Sequence, residues 1–221
     1  MTDIEYYKTV DSPTLSNAIE RLKIRPNERG FTPLEVRSLF PELGRMCGHA
    51  VTAQVETVTE TEPFAVDKFI ELYKEVEKAP KPAVIALQEI GAFGSYAAHC
   101  GEVMASFFIR LGAVGLVSDC GVRDLPEVRR LGFHYFARGA LASHANYRIA
   151  RVGVPVQICG MVVSPHDLIH GDENGVLTIP NVGRDKIEES VEKVRKRERI
   201  VMDFVRGPDF HLDGFRNLVV E

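Results

Sequence analysis

Twenty residues lie between Glu102 and the adjacent pair Arg123-Asp124, and these three side chains have the types that could act together. A guanidinium is a planar, permanently charged fork that grips a carboxylate at two points. An aspartate beside it is a hard oxygen donor of the kind Mg²⁺ or Mn²⁺ prefers while keeping several waters. A second carboxylate can hold the metal's water or move a proton. Together the three suit chemistry on a 2-oxo acid.

The stretch that must position them, HCGEVMASFFIRLGAVGLVSDCGVRDLPEV from His99 to Val128, reads as a helix opening on Glu102, a short apolar strand, and a turn that delivers the cation and anion. Ligands collect at the carboxyl ends of strands in α/β sheets. Gly101 precedes the helix, and the backbone N–H groups of Val103 and Met104 fall in its first turn, where no helical carbonyl is available to them. Gly101, Val103, Met104 and Arg123 are therefore the candidate substrate-binding set. A plainer reading stands beside each acid. Asp124-x-x-Glu127 is also the signature of a helix capping box, and Glu102 is also an ordinary acid in a first helical turn.

Other candidates are weaker. His99 and Cys100 are adjacent, and adjacent side chains diverge, so a nucleophilic pair is not expected. His166 and His170 are four apart in a segment that reads as turn and strand, where that spacing does not face one way. Gly91 and Gly94 lack a phosphate-loop pattern. Lys81, just before a strand, is a remote Schiff-base candidate. The four cysteines (47, 100, 120, 159) form no CxxC pair and read as reduced thiols of a cytoplasmic protein, not as a zinc site.

The flanking elements follow from periodicity. Residues 12–23 predict a helix with Ser12 at the N-cap and Pro13 at its first position. Residues 24–44 are rich in Pro and Gly and predict irregular chain. Strands are expected at 47–58, after Pro82 (AVIALQEI), at 113–119, in HYFARG and in VPVQICGMVV. DLIHGDENGVLTIP predicts a strand pair turning at Glu173-Asn174-Gly175. Helices are expected at 65–79, after Gly101, in LPEVRRLG and from about 184 to 204–206, where Gly207-Pro208 stops the last. Alternating strands and helices with a strand-rich end predict a mixed α/β fold, a single layered domain over 1–221 with a barrel-like sheet core flanked by helices.

The net charge of −4 argues against a nucleic-acid binder that works by neutralising phosphates. The Lys193–Arg199 cations are interleaved with Glu188, Glu189, Glu192 and Glu198, as on a solvated helix face. No apolar run approaches the roughly 20 residues of a membrane span, and no signal peptide is visible at the start.

The run GEVMASFFIRLGAVGLVSDCGVRDLPEV resembles the divalent-metal-dependent pyruvate aldolases that cleave 4-hydroxy-4-methyl-2-oxoglutarate, a family that includes the ribonuclease E regulator RraA. CGHAVTAQ, FARG and VPVQICGMVVSPHDLIHGDENGVLTIP extend the likeness from about Ser12 to Ile200. The resemblance implies the RraA-like swivelling β/β/α fold, Mg²⁺ or Mn²⁺ as the only cofactor, and a ring-shaped homotrimer or pair of trimers. It assigns Asp124 to the metal, Arg123 to the pyruvoyl carboxylate and enolate, and Glu102 to the metal through water. It further implies that Glu198, or alternatively Glu192, reaches the site of a neighbouring subunit from the C-terminal helix. Oxaloacetate decarboxylation is the implied side activity. The chain departs from the family in having His166 where Gly is common and SDCGVRD where VDGxVRD is usual. A non-catalytic regulator that contacts an RNA-processing enzyme is the alternative from another class. Such regulators lose the Arg-Asp pair, which this chain keeps.

Overall fold

The sheet grows from one long strand. Residues 46–58 alternate well enough to form a 13-residue strand, β2 (Met46–Val58), which follows the two-residue β1 (Arg37–Ser38). The computed structural model describes residues 2–58 and 65–219, with side chains to residue 216. Along one edge β2 pairs in parallel with β3 (Ala83–Glu89). Then follow β4 (Ala113–Ser118) and β6 (His134–Ala137), also parallel. The helices α3 (Val66–Lys78), α4 (Glu102–Arg110) and α5 (Leu125–Leu131) make the crossovers, as parallel neighbours require. The short β5 (Gly121–Val122) pairs with β7 (Gly139–Ala140) just beyond the carboxyl ends of these strands.

The opposite edge of β2 is shared. Residues 46–49 pair with β11 (Leu168–Asp172) and residues 53–58 with β8 (Asn146–Val152), with a register shift at Gln54/Val55. Strand β12 (Gly175–Ile179) completes a hairpin with β11 across Glu173-Asn174, as the turn chemistry predicts. The result is an eight-stranded sheet that curls into a nearly closed, barrel-like core flanked by helices.

Strands β3 and β4 are continuous apolar runs because both faces are covered. On one side Ile85 and Leu116 meet Phe69, Leu72 and Phe108 of α3 and α4. On the other, Val84, Ala86 and Val117 meet a small hairpin of β9 (Val156–Ile158) and β10 (Met161–Val163). A third cluster joins Tyr7 of α1 (Asp3–Tyr7) and Leu15 and Ile19 of α2 (Ser12–Arg21) to Leu177 of β12 and to Ile187 and Val191 of α6 (Arg184–Arg206). Helix α7 (Leu212–Val219) follows α6.

Several expectations need correcting. Ser12 is not the N-cap of α2. Asp11 is, accepting the Thr14 N–H at 2.9 Å. Ser12 instead gives its N–H and hydroxyl to the buried Asp172 carboxylate at 2.7 and 2.6 Å, fastening the start of α2 to β11. VPVQICGMVV is a hairpin, not one strand, because Cys159 and Gly160 both take positive φ (46° and 100°). Residue 166 also lies in the left-handed region (φ 69°), a conformation that glycine adopts at least cost. Strand β8 and helices α1 and α7 were not anticipated. Among the described residues no helix is long and apolar enough to cross a membrane.

Candidate active site

The turn carrying Arg123 and Asp124 is zipped to the segment before α4. The Gly121 N–H donates to the Ala97 carbonyl at 3.2 Å, the His99 N–H to Gly121 at 2.9 Å, and the Arg123 N–H to Cys100 at 2.9 Å. This local parallel ladder lays the Arg123-Asp124 corner directly against Gly101. A Cβ at Gly101 would collide with the Asp124 carboxylate and stand 3.0 Å from Arg123 Nε, so any side chain there would push the carboxylate out of this position.

The capping-box reading of Asp124 is overturned. Asp124 precedes α5 but lies in the left-handed region (φ 58°, ψ 42°), and its side chain makes no cap bond to that helix. Its Oδ2 turns instead to the Glu102 N–H at 2.9 Å, at the start of α4, with Arg123 Nε 3.7 Å away. A non-glycine residue in the left-handed region costs on the order of 1 kcal/mol, and such strain gathers at functional sites. Both Arg123 and Asp124 side chains are 37% exposed, so they are open to a ligand.

They open onto a cavity of about 690 Å³, with Gly101, Val103 and Met104 also in its wall. The N–H groups of Val103 and Met104 have no chain partner among the described residues, since the first helical bond of this turn runs from Ala105 N–H to the Gly101 carbonyl. Sequence reasoning therefore named five residues that the fold brings to one place: Gly101, Val103, Met104, Arg123 and Asp124. Glu102 gives its backbone to Asp124, but its side chain is exposed and outside the cavity wall. Glu198 stands on the exposed second half of α6, and Glu192 pairs with Arg195 at 3.5 Å. Within one chain neither lines the cavity.

A second polar cluster was missed. His99 is fully buried, with Nε2 2.9 Å from Glu89 Oε2 and Nδ1 3.1 Å from the Ser118 hydroxyl. Glu89, at the end of β3, also accepts the N–H and hydroxyl of Thr57 at 2.8 and 2.5 Å and the Gly91 N–H at 2.7 Å. The Cys120 thiol donates to the Gly94 carbonyl at 3.1 Å and approaches Glu89 at 3.5 Å. Burial alone would raise the Glu89 pKa, but the His99, Thr57 and Gly91 donors outweigh it and hold it at about 2. Burial pushes neighbouring Asp119 the other way, to about 6, although its Oδ1 accepts the Glu89 N–H at 2.7 Å. The ligand atoms of Glu89, His99 and Cys120 lie within 4.8 Å of one another, a donor set that suits a zinc-like ion. Each of those atoms is already hydrogen-bonded within the chain, so the cluster acts as a clasp joining the ends of β2, β3 and β4. The available signal was a polar pair, Gln88-Glu89, ending an otherwise apolar strand.

Asp124 fits a hard divalent cation. Its Oδ2 is engaged by Glu102 and Arg123, whereas Oδ1 has no chain partner among the described residues and belongs to a half-exposed carboxylate in the cavity wall. That open oxygen is what Mg²⁺ or Mn²⁺ would take, since these ions are held by one or two carboxylates plus water and substrate.

Comparison with known proteins agrees with this architecture. The chain is 26% identical over 191 residues to an uncharacterized protein of Methanocaldococcus jannaschii, covering 82% of this chain and 84% of that one. It is 31% identical over 121 residues to a Halalkalibacterium halodurans protein provisionally named 4-hydroxy-4-methyl-2-oxoglutarate aldolase, covering 52% of this chain and 58% of its length. Among solved structures, Streptomyces coelicolor RraAS2, described as an unusual member of the RNase ES inhibitor RraA family, superposes with a TM-score of 0.68 at 24% identity over 89% of this chain and 92% of that one. The family profile RraA-like (Aldolase/RraA) matches residues 12–178, and with the nearly closed sheet already described, it places this chain in the RraA-like family.

Proposed function

We propose that the protein is a divalent-metal-dependent carbon–carbon lyase that cleaves a 4-hydroxy-2-oxo acid, such as 4-hydroxy-4-methyl-2-oxoglutarate, to pyruvate and a carbonyl compound. Oxaloacetate decarboxylation would be a side activity, because it passes through the same pyruvate enolate. The observation that carries the reading is the Asp124 carboxylate, drawn out of its own helix cap to stand beside Arg123 in the cavity wall.

Asp124 would hold the ion, Mg²⁺ or Mn²⁺. When bound, such an ion acts as a Lewis acid on a 2-keto group. Arg123 grips the C1 carboxylate and meets the negative charge that develops on the enolate, where fixed charge contributes most to rate. The N–H groups of Val103 and Met104 add two donors at the positive end of α4 for the same carboxylate. Glu102, between the lining residues Gly101 and Val103 in the chain, is the candidate to orient the water that takes up the 4-hydroxyl proton. In a homotrimer or homohexamer, α6 of one copy would bring Glu198 or Glu192 to a neighbour's cavity. The exposed second half of α6 supports this placement.

The test is a lactate-dehydrogenase-coupled pyruvate assay on 4-hydroxy-4-methyl-2-oxoglutarate and oxaloacetate, with Mg²⁺ and with EDTA. Metal-dependent pyruvate release is expected from both. A non-catalytic regulator of an RNA-processing enzyme, as in the RNase ES inhibitor family to which RraAS2 belongs, would release none and would show no rise in melting temperature with Mg²⁺.

A further inference from the structure

The cavity wall combines two unlike sets of residues. Arg123, Asp124 and Gly101 form the polar set. Phe69, Ile70 and Tyr73 of α3 and Phe107 of α4 form an apolar, largely aromatic set. Tyr73 stacks on Phe107 with ring centroids 4.9 Å apart and planes at 16°, and stands edge-on to Phe108 at 5.7 Å, so these rings brace one another. Tyr147, also in the wall, has its hydroxyl turned to the His99 carbonyl at 3.3 Å and to Met104 Sδ at 3.0 Å.

Charge is scarce there. Among the described lining residues the permanent cations are Arg123 and Arg148. Arg148 is gripped by Glu56 through Nε at 2.9 Å and through Nη2 at 2.8 Å. His144 turns Nδ1 toward the Ala145 carbonyl. A ligand carboxylate placed against the aromatic rings would lose hydration that the rings cannot replace. An aryl or branched alkyl group there would be favoured by the apolar surface it removes from water. The volume of about 690 Å³ lies within the roughly 300–1,000 Å³ of small-molecule sites.

Resting on the lyase reading above, we propose that the C4 substituent of the substrate is an aryl or branched alkyl group rather than a second carboxylate-bearing chain, so that the product released with pyruvate is an apolar aldehyde or ketone. The reaction balances without an oxidant or reductant. The 4-hydroxyl loses its proton to a base, the C3–C4 bond breaks with its electron pair passing to C3, C4–O becomes a carbonyl, and the enolate takes a proton at C3.

The experiment compares kcat/KM of the full chain with Mg²⁺ on 4-hydroxy-2-oxo-4-phenylbutanoate and on 4-hydroxy-4-methyl-2-oxoglutarate, with Phe107→Arg in parallel. Binding of the non-cleavable 2-oxo-4-phenylbutanoate and 2-oxoglutarate is measured by calorimetry. The aryl substrate is expected to be favoured at least tenfold, and Phe107→Arg, at a half-exposed position, to shift preference toward the dicarboxylate by a similar factor. Equal or better turnover of the methyl-oxoglutarate substrate overturns this inference and leaves the lyase reading standing. Pyruvate from neither substrate ends the lyase reading and this inference with it. Where pyruvate is released, tighter binding of the phenyl ligand supports the inference, and equal or weaker binding, as when a second copy of the chain covers the aromatic wall, overturns it.

Discussion

Asp124 Oδ2 accepts the Glu102 N–H at 2.9 Å, so the residue in front of α5 caps α4 instead. This one bond couples the two halves of the site. It leaves Oδ1 in the cavity wall, fixes the first turn of α4 with its Val103 and Met104 N–H groups, and sets the approach of Arg123 Nε. It also accounts for the left-handed backbone at Asp124, since the strain is offset by a charge-assisted bond at a helix N-terminus.

Asp124 therefore has two separable roles. Asp124→Asn keeps an oxygen for the Glu102 N–H but loses the charge a divalent ion needs; Asp124→Ala loses both. Both variants should lose metal-dependent pyruvate release by at least 10³-fold. Only the alanine should also lose the cap, at about 1 kcal/mol. Coupled assay and urea midpoints separate these effects. Wild-type turnover by either variant would remove Asp124 from the metal site.

Gly101→Ala changes no charge. The backbone there (φ −133°) accepts alanine, but the new methyl would strike the Asp124 carboxylate and crowd Arg123. Activity should fall by two orders of magnitude or more, because a displacement of about 1 Å at a reacting centre costs on the order of 10²-fold. The melting temperature should drop by only a few degrees. Unchanged kcat/KM would show that the corner tolerates displacement.

Arg123→Lys retains a positive charge but not the planar fork, and Arg123→Ala retains neither. If Arg123 meets charge that develops during reaction, kcat should fall about 10²–10³-fold in the alanine variant and by a smaller factor in the lysine variant. A rise in KM alone would restrict Arg123 to ground-state binding.

Much of this was legible in the residues. The apolar runs at 83–87 and 113–117 and the helical stripe Phe69, Leu72, Val76 placed the sheet and its covering helices. Strand β8 escaped because NYRIARV buries only Ile149; its register is set by pairing with β2, not by its own alternation. The Asp124-x-x-Glu127 signature predicts a capping box that does not form, because the ladder between residues 97–100 and 121–123 draws the carboxylate to another helix, a tertiary effect with no local trace. Glu89, His99 and Ser118 form no spacing pattern, because the adjacency of β3 and β4 brings them together.

That cluster should matter for stability. Glu89→Gln removes the charge that accepts the Thr57, Gly91 and His99 donors and places an amide N–H₂ among them. Breaking a buried charged network typically costs about 3–5 kcal/mol, and the urea midpoint should fall accordingly at constant slope. Cys120→Ser, at the edge of the network, should cost less than about 1 kcal/mol. Equal midpoints for Glu89→Gln and wild type would mean the clasp is dispensable.

Acid should weaken the fold through two desolvated histidines, one buried and one partly buried, before its carboxylates. Burial holds His170, in the middle of β11, and His134, in β6, down at about 4, against roughly 6.5 in an unfolded chain. A depressed histidine favours the neutral form in the native state, so its contribution is complete above pH 6.5 and is lost as pH falls through 4. For His170 that is about 3 kcal/mol at most. Asp119 opposes this. With its pKa raised to about 6, its native-state preference for the protonated form adds stability as pH falls from 6 toward 3.8. Glu89, held at about 2, stays ionised in the native state throughout this range. Two histidines outweigh one aspartate, so the melting temperature should decline between pH 7 and pH 4. The decline should be shallower in His170→Leu, which removes a titrating ring from the core, and steeper in Asp119→Asn, which removes the opposing carboxyl while keeping an oxygen for the Glu89 N–H. Calorimetric melts at half-unit steps give the three slopes directly, and parallel profiles would show that neither residue sets the acid limit.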